Sequence, residues 1–174
     1  MGQDKALMPF GGYRSLCEYQ YRRLSPLFER VYISTKEPKF SFDAPLLYDT
    51  HTQSSPLVGV VSIFETLEEP EVFILSVDAP FVGQEIIQAL YTQSQESSFD
   101  AIIAQSPRGV EPLCGIYNRS ILGKAKKLLS EDRHRLSTLL SLVDSKFVKF
   151  EESWAFDNLN YIEEYKEAIQ SKKI

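Results

Sequence analysis

The stretch that decides the fold is EVFILSVDAPF, residues 71–81. Its apolar residues run almost without interruption from Val72 to Val77, which favours a strand buried on both faces, as in a parallel sheet. The run ends at Asp78, and Pro80 then turns the chain because proline cannot donate to a strand ladder. The sequence therefore predicts a buried parallel strand at residues 71–78, with a carboxylate at its end.

Segments on both sides of this strand alternate between strand and helix patterns. Predicted strands are residues 30–35, 45–49 and 99–105, and predicted helices are residues 16–28, 57–67 and 84–95. The helix at 57 follows Ser54-Ser55-Pro56, where cap residues precede a proline tolerated in a first turn. Repeated strand–helix alternation predicts an α/β fold, Rossmann-like and doubly wound, with helices on both faces of a mostly parallel sheet.

The order becomes less regular after Asp100. We expect strands at 114–118 and 146–150, the second at a sheet edge, and helices at 120–129, 135–143 and 161–170. The segment EPKFSFDAP, residues 37–45, is typical of a surface loop, and Gly11-Gly12 of a tight turn. With 174 residues and no long linker, the chain is predicted to form one domain, residues 1–174.

Composition narrows the class of protein. A net charge of −5 argues against general nucleic-acid binding, and no apolar run approaches the roughly 20 residues of a membrane helix. The opening residues do not resemble a signal peptide. Cys17 and Cys114 are isolated, as expected for reduced, buried thiols. These features predict a cytoplasmic protein that binds neither nucleic acid nor membrane.

Ligands of open α/β sheets bind at the carboxyl ends of the strands, where Ser34, Asp49 and Asp78 are expected to lie. Carboxylate oxygen is a natural ligand for Mg²⁺ that bridges nucleotide phosphates. An aspartate after a strand also commonly caps the following turn. Spacing alone leaves Asp78 open between metal ligand and turn cap.

Other polar residues have both a functional and a structural interpretation. Lys5 suits phosphate contact but also a solvated surface position. The cluster Arg133-His134-Arg135 suits phosphate or pyrophosphate but also an exposed loop. Asn158 and Asn160 suit helix capping or contact with a nucleobase or pterin. His51 and His134 have no nucleophile pattern around them, so we expect surface residues.

Taken together, these motifs resemble the MobA-type nucleotidyltransferases, the molybdenum cofactor guanylyltransferases. MGQDKALMPFGG is similar to the end of the family's signature loop, YDTHTQSSPLVGV to its Asp and GPLAG segment, and SVDAPF to its CDMPF. GVEPLCGIYN resembles its HPLFALY strand, EDRHRLSTLL its GERRVRxLL stretch, and AFDNLNYIEEY its FxNINTPEDL motif. The resemblance is collinear and covers essentially the whole chain.

The resemblance implies transfer of GMP from GTP to molybdopterin, with release of pyrophosphate. Under it, Lys5 contacts the GTP phosphates, Asp78 holds Mg²⁺, and Ser34 and Asp49 line the guanine pocket. The molybdopterin side is implied for four residues, Asn158, Asn160, Arg133 and Arg135. Molybdoenzymes or their chaperones are implied as further partners. Glu111 stands where the family has histidine, and its role stays open.

The family's first strand and glycine-rich loop, which cradles the phosphates, do not have a counterpart in this sequence. We therefore expect weak or no transferase activity from the chain as written. The alternatives are a related enzyme that uses CTP or a sugar phosphate, a non-catalytic molybdopterin-binding remnant, and an unrelated doubly wound domain.

Overall fold

A computed structural model describes residues 4–96 and 98–159. Asn160 and the helix predicted at 161–170 lie outside the described residues. Within them the chain begins with a short 3₁₀ turn at Lys5–Leu7 and a helix α1 at Leu16–Leu24. Gly11 and Gly12, with φ of 55° and 80°, form a tight turn between Phe10 and Tyr13, because φ is positive at both central positions of such a turn. The predicted turn is confirmed.

The strands form two sheets in the described part of the chain. Strands β1 (Ile33–Thr35) and β2 (Leu46–Tyr48) make a parallel pair. Strands β3 (Glu71–Leu75), β4 (Ala101–Ser106), β5 (Gly109–Asn118) and β6 (Ser145–Lys149) form the second sheet, in the order β3-β5-β4-β6. Strand β5 is antiparallel to both neighbours, and β6 is parallel to β4. Strands β3, β4 and β6 therefore share one direction.

Helices cover both faces of the larger sheet, as predicted. One face packs against α2 (Pro56–Thr66), α4 (Leu122–Ser130) and α5 (Leu136–Leu140) in a core centred on Ile103 and Tyr117. The other face packs against the end of α1 and against α3 (Gln84–Glu96). The α/β class with a parallel-rich sheet is confirmed.

Several boundaries differ from the sequence predictions for local reasons. The strand predicted at 71–78 ends at Leu75, because the chain turns at Val77 and Asp78. The strand predicted at 114–118 starts earlier, at Gly109, since residues 109–111 pair with the end of β4 in a tight hairpin. The helix predicted at 135–143 is confined to Leu136–Leu140. Among the described residues, no helix has both the length and the apolar composition needed to cross a membrane.

Candidate active site

A cleft of about 540 Å³ opens beyond the carboxyl end of β3. Five parts of the chain form it: the turn after β3, the start of α2, the first half of β5, the approach to α5, and the approach to the end of the described chain. Its lining includes Ser55, Ser76, Asp78, Glu111, Cys114, His134, Arg135, Phe156 and Asn158. The cleft lies where ligands of open α/β sheets bind.

Asp78 lies in this cleft and is partly exposed. Its Oδ1 accepts a hydrogen bond from Ser76 Oγ at 2.5 Å, and its backbone oxygen accepts one from Leu159 N–H at 2.9 Å. The side chain is thus held in the turn and also faces the cleft. The two sequence-based interpretations of Asp78, turn residue and ligand, are compatible.

A buried side chain from α1 holds the turn that carries Asp78. Gln20, only 5% exposed, donates from Nε2 to the backbone oxygens of Ser76 and Val77, both at 3.2 Å. Its Oε1 accepts a bond of 2.6 Å from Arg23, whose Nη1 also donates to the oxygen of Val82 at 2.7 Å. Burial lowers the pKa of Arg23. Gln20 was not predicted from the sequence, although a glutamine within the apolar stripe of a helix is a detectable signal.

The start of α2 forms a second wall of the cleft. Ser55 Oγ caps the helix by accepting from Val58 N–H at 3.2 Å, and Pro56 opens the first turn, as predicted. The same Oγ lies 3.1 Å from His134 Nδ1, while His134 Nε2 lies 2.9 Å from Asp132 Oδ1. His134 was expected at the surface, and its side chain is 25% exposed; the fold also brings its ring against a helix start 79 positions away.

The two arginines of the basic cluster at 133–135 lie in different surroundings. Arg135 is exposed, precedes α5 and lines the cleft. Arg133 points Nη1 toward Glu131, at 3.3 Å, and is absent from the cleft lining. The positive N-terminal end of α2 adds to Arg135 on this side, so the wall suits an anion.

Asn158 lines the cleft on a segment that Arg108 holds in place. Arg108 Nη1 pairs with Asp157 at 2.8 Å, and Nη2 donates to the oxygen of Ser153 at 3.0 Å. Arg108 was not predicted from the sequence either. Its position in the β4–β5 hairpin carries no local signal, since its partners lie more than 40 positions away.

Glu111 and Cys114 are the β5 side chains of the cleft that carry ionisable groups. Glu111 Oε1 accepts a bond of 2.8 Å from Ser106 Oγ, so it is fixed within the hairpin. Burial raises the pKa of the Cys114 thiol to about 12, which keeps it protonated and unsuited to nucleophilic work.

Besides Arg133, three predicted site residues lie outside this cleft lining. Lys5 is half-buried in the 3₁₀ turn, whose cap Asp4 pairs with Lys39 at 2.6 Å. Ser34 lies in β1 and lines a separate groove between β1 and β3. Asp49 follows β2, where its N–H donates to Thr35 at 3.2 Å.

Comparison with known proteins places this architecture among nucleotide-transferring enzymes. Residues 1–146 match the family described as the MobA-like NTP transferase domain. A molybdenum cofactor guanylyltransferase of Campylobacter jejuni is 37% identical over 99% of this chain and 90% of its own length. A protein of the same name from Helicobacter pylori is 36% identical over 98% of this chain and 83% of its own length.

Solved structures share the fold. The molybdopterin-guanine dinucleotide biosynthesis protein A of Archaeoglobus fulgidus superimposes with a TM-score of 0.83 at 19% identity, over 98% of this chain and 91% of that one. The 2-C-methyl-D-erythritol 4-phosphate cytidylyltransferase of Thermus thermophilus gives 0.73 at 16% identity, over 99% and 95%. At these identities the likeness concerns the fold alone.

Proposed function

Because this chain belongs to the MobA-like NTP transferase family and is a nucleotidyltransferase, we propose that it transfers GMP from GTP to molybdopterin. The products are the guanine dinucleotide form of the cofactor and pyrophosphate. The names of the curated relatives support this choice of substrates. The proposed reaction rests mainly on the position of Asp78. Its carboxylate faces a cleft, and the opposite wall of that cleft is the start of α2, which attracts anions.

The donor set of the cleft fits a magnesium ion. Mg²⁺ is usually held by one or two carboxylates together with substrate phosphates and water, and the cleft contains the carboxylates of Asp78 and Glu111. We assign Asp78 as the protein ligand, because its Oδ1 already has a hydrogen-bond donor that orients the group. When bound, the ion would offset negative charge on the nucleotide phosphates.

The residues of the chain would bind and align the two substrates. In the proposed reaction an oxygen of the molybdopterin phosphate attacks the α-phosphorus of GTP in line, and the bond to pyrophosphate breaks. Lys5 would contact the GTP phosphates, and Ser34 and Asp49 would line the guanine pocket. Such a reaction depends mainly on positioning and charge, so it needs little acid–base work from side chains.

The molybdopterin side is assigned to Asn158, Asn160, Arg135 and Arg133. Asn158 and Arg135 have the stronger support, since both line the cleft. Arg133 is the weaker assignment because its guanidinium pairs with Glu131, and Asn160 rests on the resemblance alone. We also propose a cytoplasmic location, since both free cysteines are buried thiols, as expected in a reducing compartment.

The test of the proposed function measures pyrophosphate release from GTP with molybdopterin and Mg²⁺, and the thermal shift that GTP and Mg²⁺ produce. Asp78→Asn should lower the rate about a hundredfold and abolish the shift. Asp43→Asn, a change at an exposed aspartate, is the matched control and should alter neither. An unchanged rate and shift in Asp78→Asn would refute the assignment.

Two further measurements distinguish the proposed enzyme from a CTP-using enzyme and from a non-catalytic binding protein. Release of pyrophosphate from CTP but not from GTP would replace the proposed nucleotide. Binding of molybdopterin with neither nucleotide binding nor pyrophosphate release would indicate a non-catalytic binding protein.

A further inference from the structure

Four consecutive residues of β5, 111–114, line the cleft. A regular strand presents only alternate residues to one side, so this run requires a break in the strand. The break is a β-bulge: Ile103 of β4 pairs with Gly115, and the next β4 residue, Ala104, pairs with Glu111. Bulges next to active sites commonly re-aim a side chain. The bulge therefore brings an uninterrupted run of β5 residues to the cleft.

The bulge is held from two sides. Tyr117 is fully buried and donates from its hydroxyl to the backbone oxygen of Pro112 at 2.7 Å. The oxygen of Leu113 accepts from Ser76 N–H at 2.8 Å, which joins the bulge to the turn that carries Asp78. The core and the turn after β3 thus fix the position of this part of β5.

Glu111, at the start of the bulge, has one carboxylate oxygen anchored and the other unpaired. Its Oε1 accepts from the buried Ser106 Oγ at 2.8 Å, and the same Oγ accepts from Arg108 N–H at 3.1 Å. No residue in the ranges 4–96 and 98–159 gives Glu111 Oε2 a hydrogen bond or an ion pair. A carboxylate oxygen that loses water without gaining a donor is costly. A ligand that fills the cleft must therefore supply that donor.

The hairpin that carries Glu111 also positions a second polar group. Arg108 holds the segment before Asn158 through Asp157 and Ser153, and Asn158 lines the cleft. Across the described part of the chain, the Asn158 side-chain amide has no hydrogen-bond partner. An amide can donate and accept, whereas a carboxylate only accepts. The cleft thus offers both kinds of group to one ligand.

The two sides of the cleft differ in charge. The start of α2 and Arg135 form the wall that suits an anion, and α2 and α5 pack on one face of the larger sheet. Phe156 and Cys114 belong to the core on the other face. Burial, and after it the negative charge of Glu111, raises the pKa of the Cys114 thiol, so the charge of Glu111 acts near this second side. A ligand with a phosphate at one end and an uncharged, donor-bearing ring at the other matches this arrangement.

We propose that Glu111 determines the acceptor specificity of the cleft by binding the 2-amino-4-oxopyrimidine edge of a pterin ring, with Asn158 beside it. That edge presents two donors, the 2-amino group and N3–H, followed by the 4-oxo acceptor. The carboxylate accepts from both donors, since Oε1 keeps a second lone pair, and the amide donates to the oxygen. The assignment rests on the proposed function, because it places the ring on the acceptor substrate.

The first test titrates the protein with pterin and with lumazine, which has an oxo group in place of the 2-amino group. Quenching of the ring fluorescence is followed without nucleotide or metal, under conditions where both rings are uncharged. We expect the parent protein to bind pterin about tenfold more tightly than lumazine, since a site built for an N–H group rejects an analogue without it. Equal affinities, or no binding of pterin at about 1 mM, would overturn the proposal.

Three variants assign that preference to Glu111. Glu111→Gln keeps the shape but exchanges an acceptor for a donor, so the preference for pterin should disappear. Ser106→Ala leaves the carboxylate without its anchor, and the preference should fall about threefold. Glu68→Gln makes the same charge change at an exposed position and should have no effect. Thermal melting shows that each variant folds, and a preference retained in both Glu111→Gln and Ser106→Ala would overturn the proposal.

Guanine carries the same edge as pterin, so a second experiment separates the two rings. The thermal shifts produced by GTP and by ITP, which lacks the 2-amino group, are compared with Mg²⁺ present. Glu111→Gln should leave the difference between GTP and ITP unchanged and should not raise the Mg²⁺ concentration required. A lost difference would assign Glu111 to guanine, and a raised requirement would make it a metal ligand; either result would overturn the proposal.

Failure of the proposed transferase activity is distinguishable from failure of this assignment. If neither nucleotide produced a shift and no pyrophosphate were released, the proposed reaction would be wrong. The preference for pterin over lumazine would still be measured, because that titration contains neither nucleotide nor metal.

Discussion

Replacement of Gln20 by methionine tests whether α1 holds the turn that carries Asp78. Gln20→Met keeps a side chain of similar length and removes the amide, so it deletes the two bonds of 3.2 Å to Ser76 and Val77. It also deletes the acceptor of the 2.6 Å bond from Arg23. The side chain is 5% exposed, so water replaces these partners poorly.

The expected magnitude follows from these three bonds. A buried group left without its partner costs about 1–3 kcal/mol. Because the turn itself is only partly buried, we expect a total loss of about 2–4 kcal/mol in the free energy of unfolding. With a urea slope of about 2 kcal/mol per molar, the unfolding midpoint should fall by about 1–2 M. The released turn should also slow pyrophosphate formation about tenfold.

Urea unfolding followed by circular dichroism measures the midpoint. Gln88→Met, at an exposed glutamine of α3, is the control and should change the free energy by less than about 0.5 kcal/mol. If the two variants unfolded at the same urea concentration, Gln20 would not be the anchor of the turn.

Three further outcomes are expected. Arg108→Ala loses two contacts to the segment before Asn158, at 2.8 and 3.0 Å; since the arginine is half-exposed, stability should fall by about 1 kcal/mol or less. Steady-state kinetics should show a raised KM for molybdopterin with kcat nearly unchanged, and a fall in kcat alone would refute this. The Ser120 hydroxyl and the Asp144 N–H hold the pKa of Asp100 below its usual value. That carboxylate therefore contributes stability above the ordinary aspartate range and loses it as the pH falls through the lowered pKa. Asp100→Asn should show a shallower loss of stability between about pH 5 and 3, and urea midpoints that fall as steeply as in the parent protein would contradict it. Burial raises the pKa of both Cys17 and Cys114 to about 12, so a disulfide reagent at pH 8 should label them only after unfolding. Rapid labelling of the native protein would exclude the buried placement.

Much of the fold was predictable because strand and helix patterns depend on near neighbours. The run from Val72 to Leu75 is apolar at every position since both faces of β3 are covered. Ser55 and Pro56 mark the start of α2 through a local hydrogen bond and a fixed φ. The direction of β5 was not predictable in the same way, because a strand pattern does not specify whether its partner runs parallel or antiparallel.

The candidate site was predictable only in part. Asp78 and Asn158 were singled out from the sequence, and both line the cleft. His134, Gln20 and Arg108 were not recognised, because each acts through partners far away in the sequence. Their bonds join α1 to the turn after β3, α2 to the approach of α5, and the β4–β5 hairpin to residues 153–157.

By itself, the order of residues determined the α/β class, most of its elements and the aspartate at the end of the most apolar strand. These depend on side-chain periodicity and caps, which are physical properties of a few adjacent residues. Only the tertiary structure decided which polar groups share the cleft. It also decided that the edges of β1 and β3 face each other across a groove. Both depend on backbone hydrogen bonding and packing between distant segments, and no local pattern of residues records those contacts.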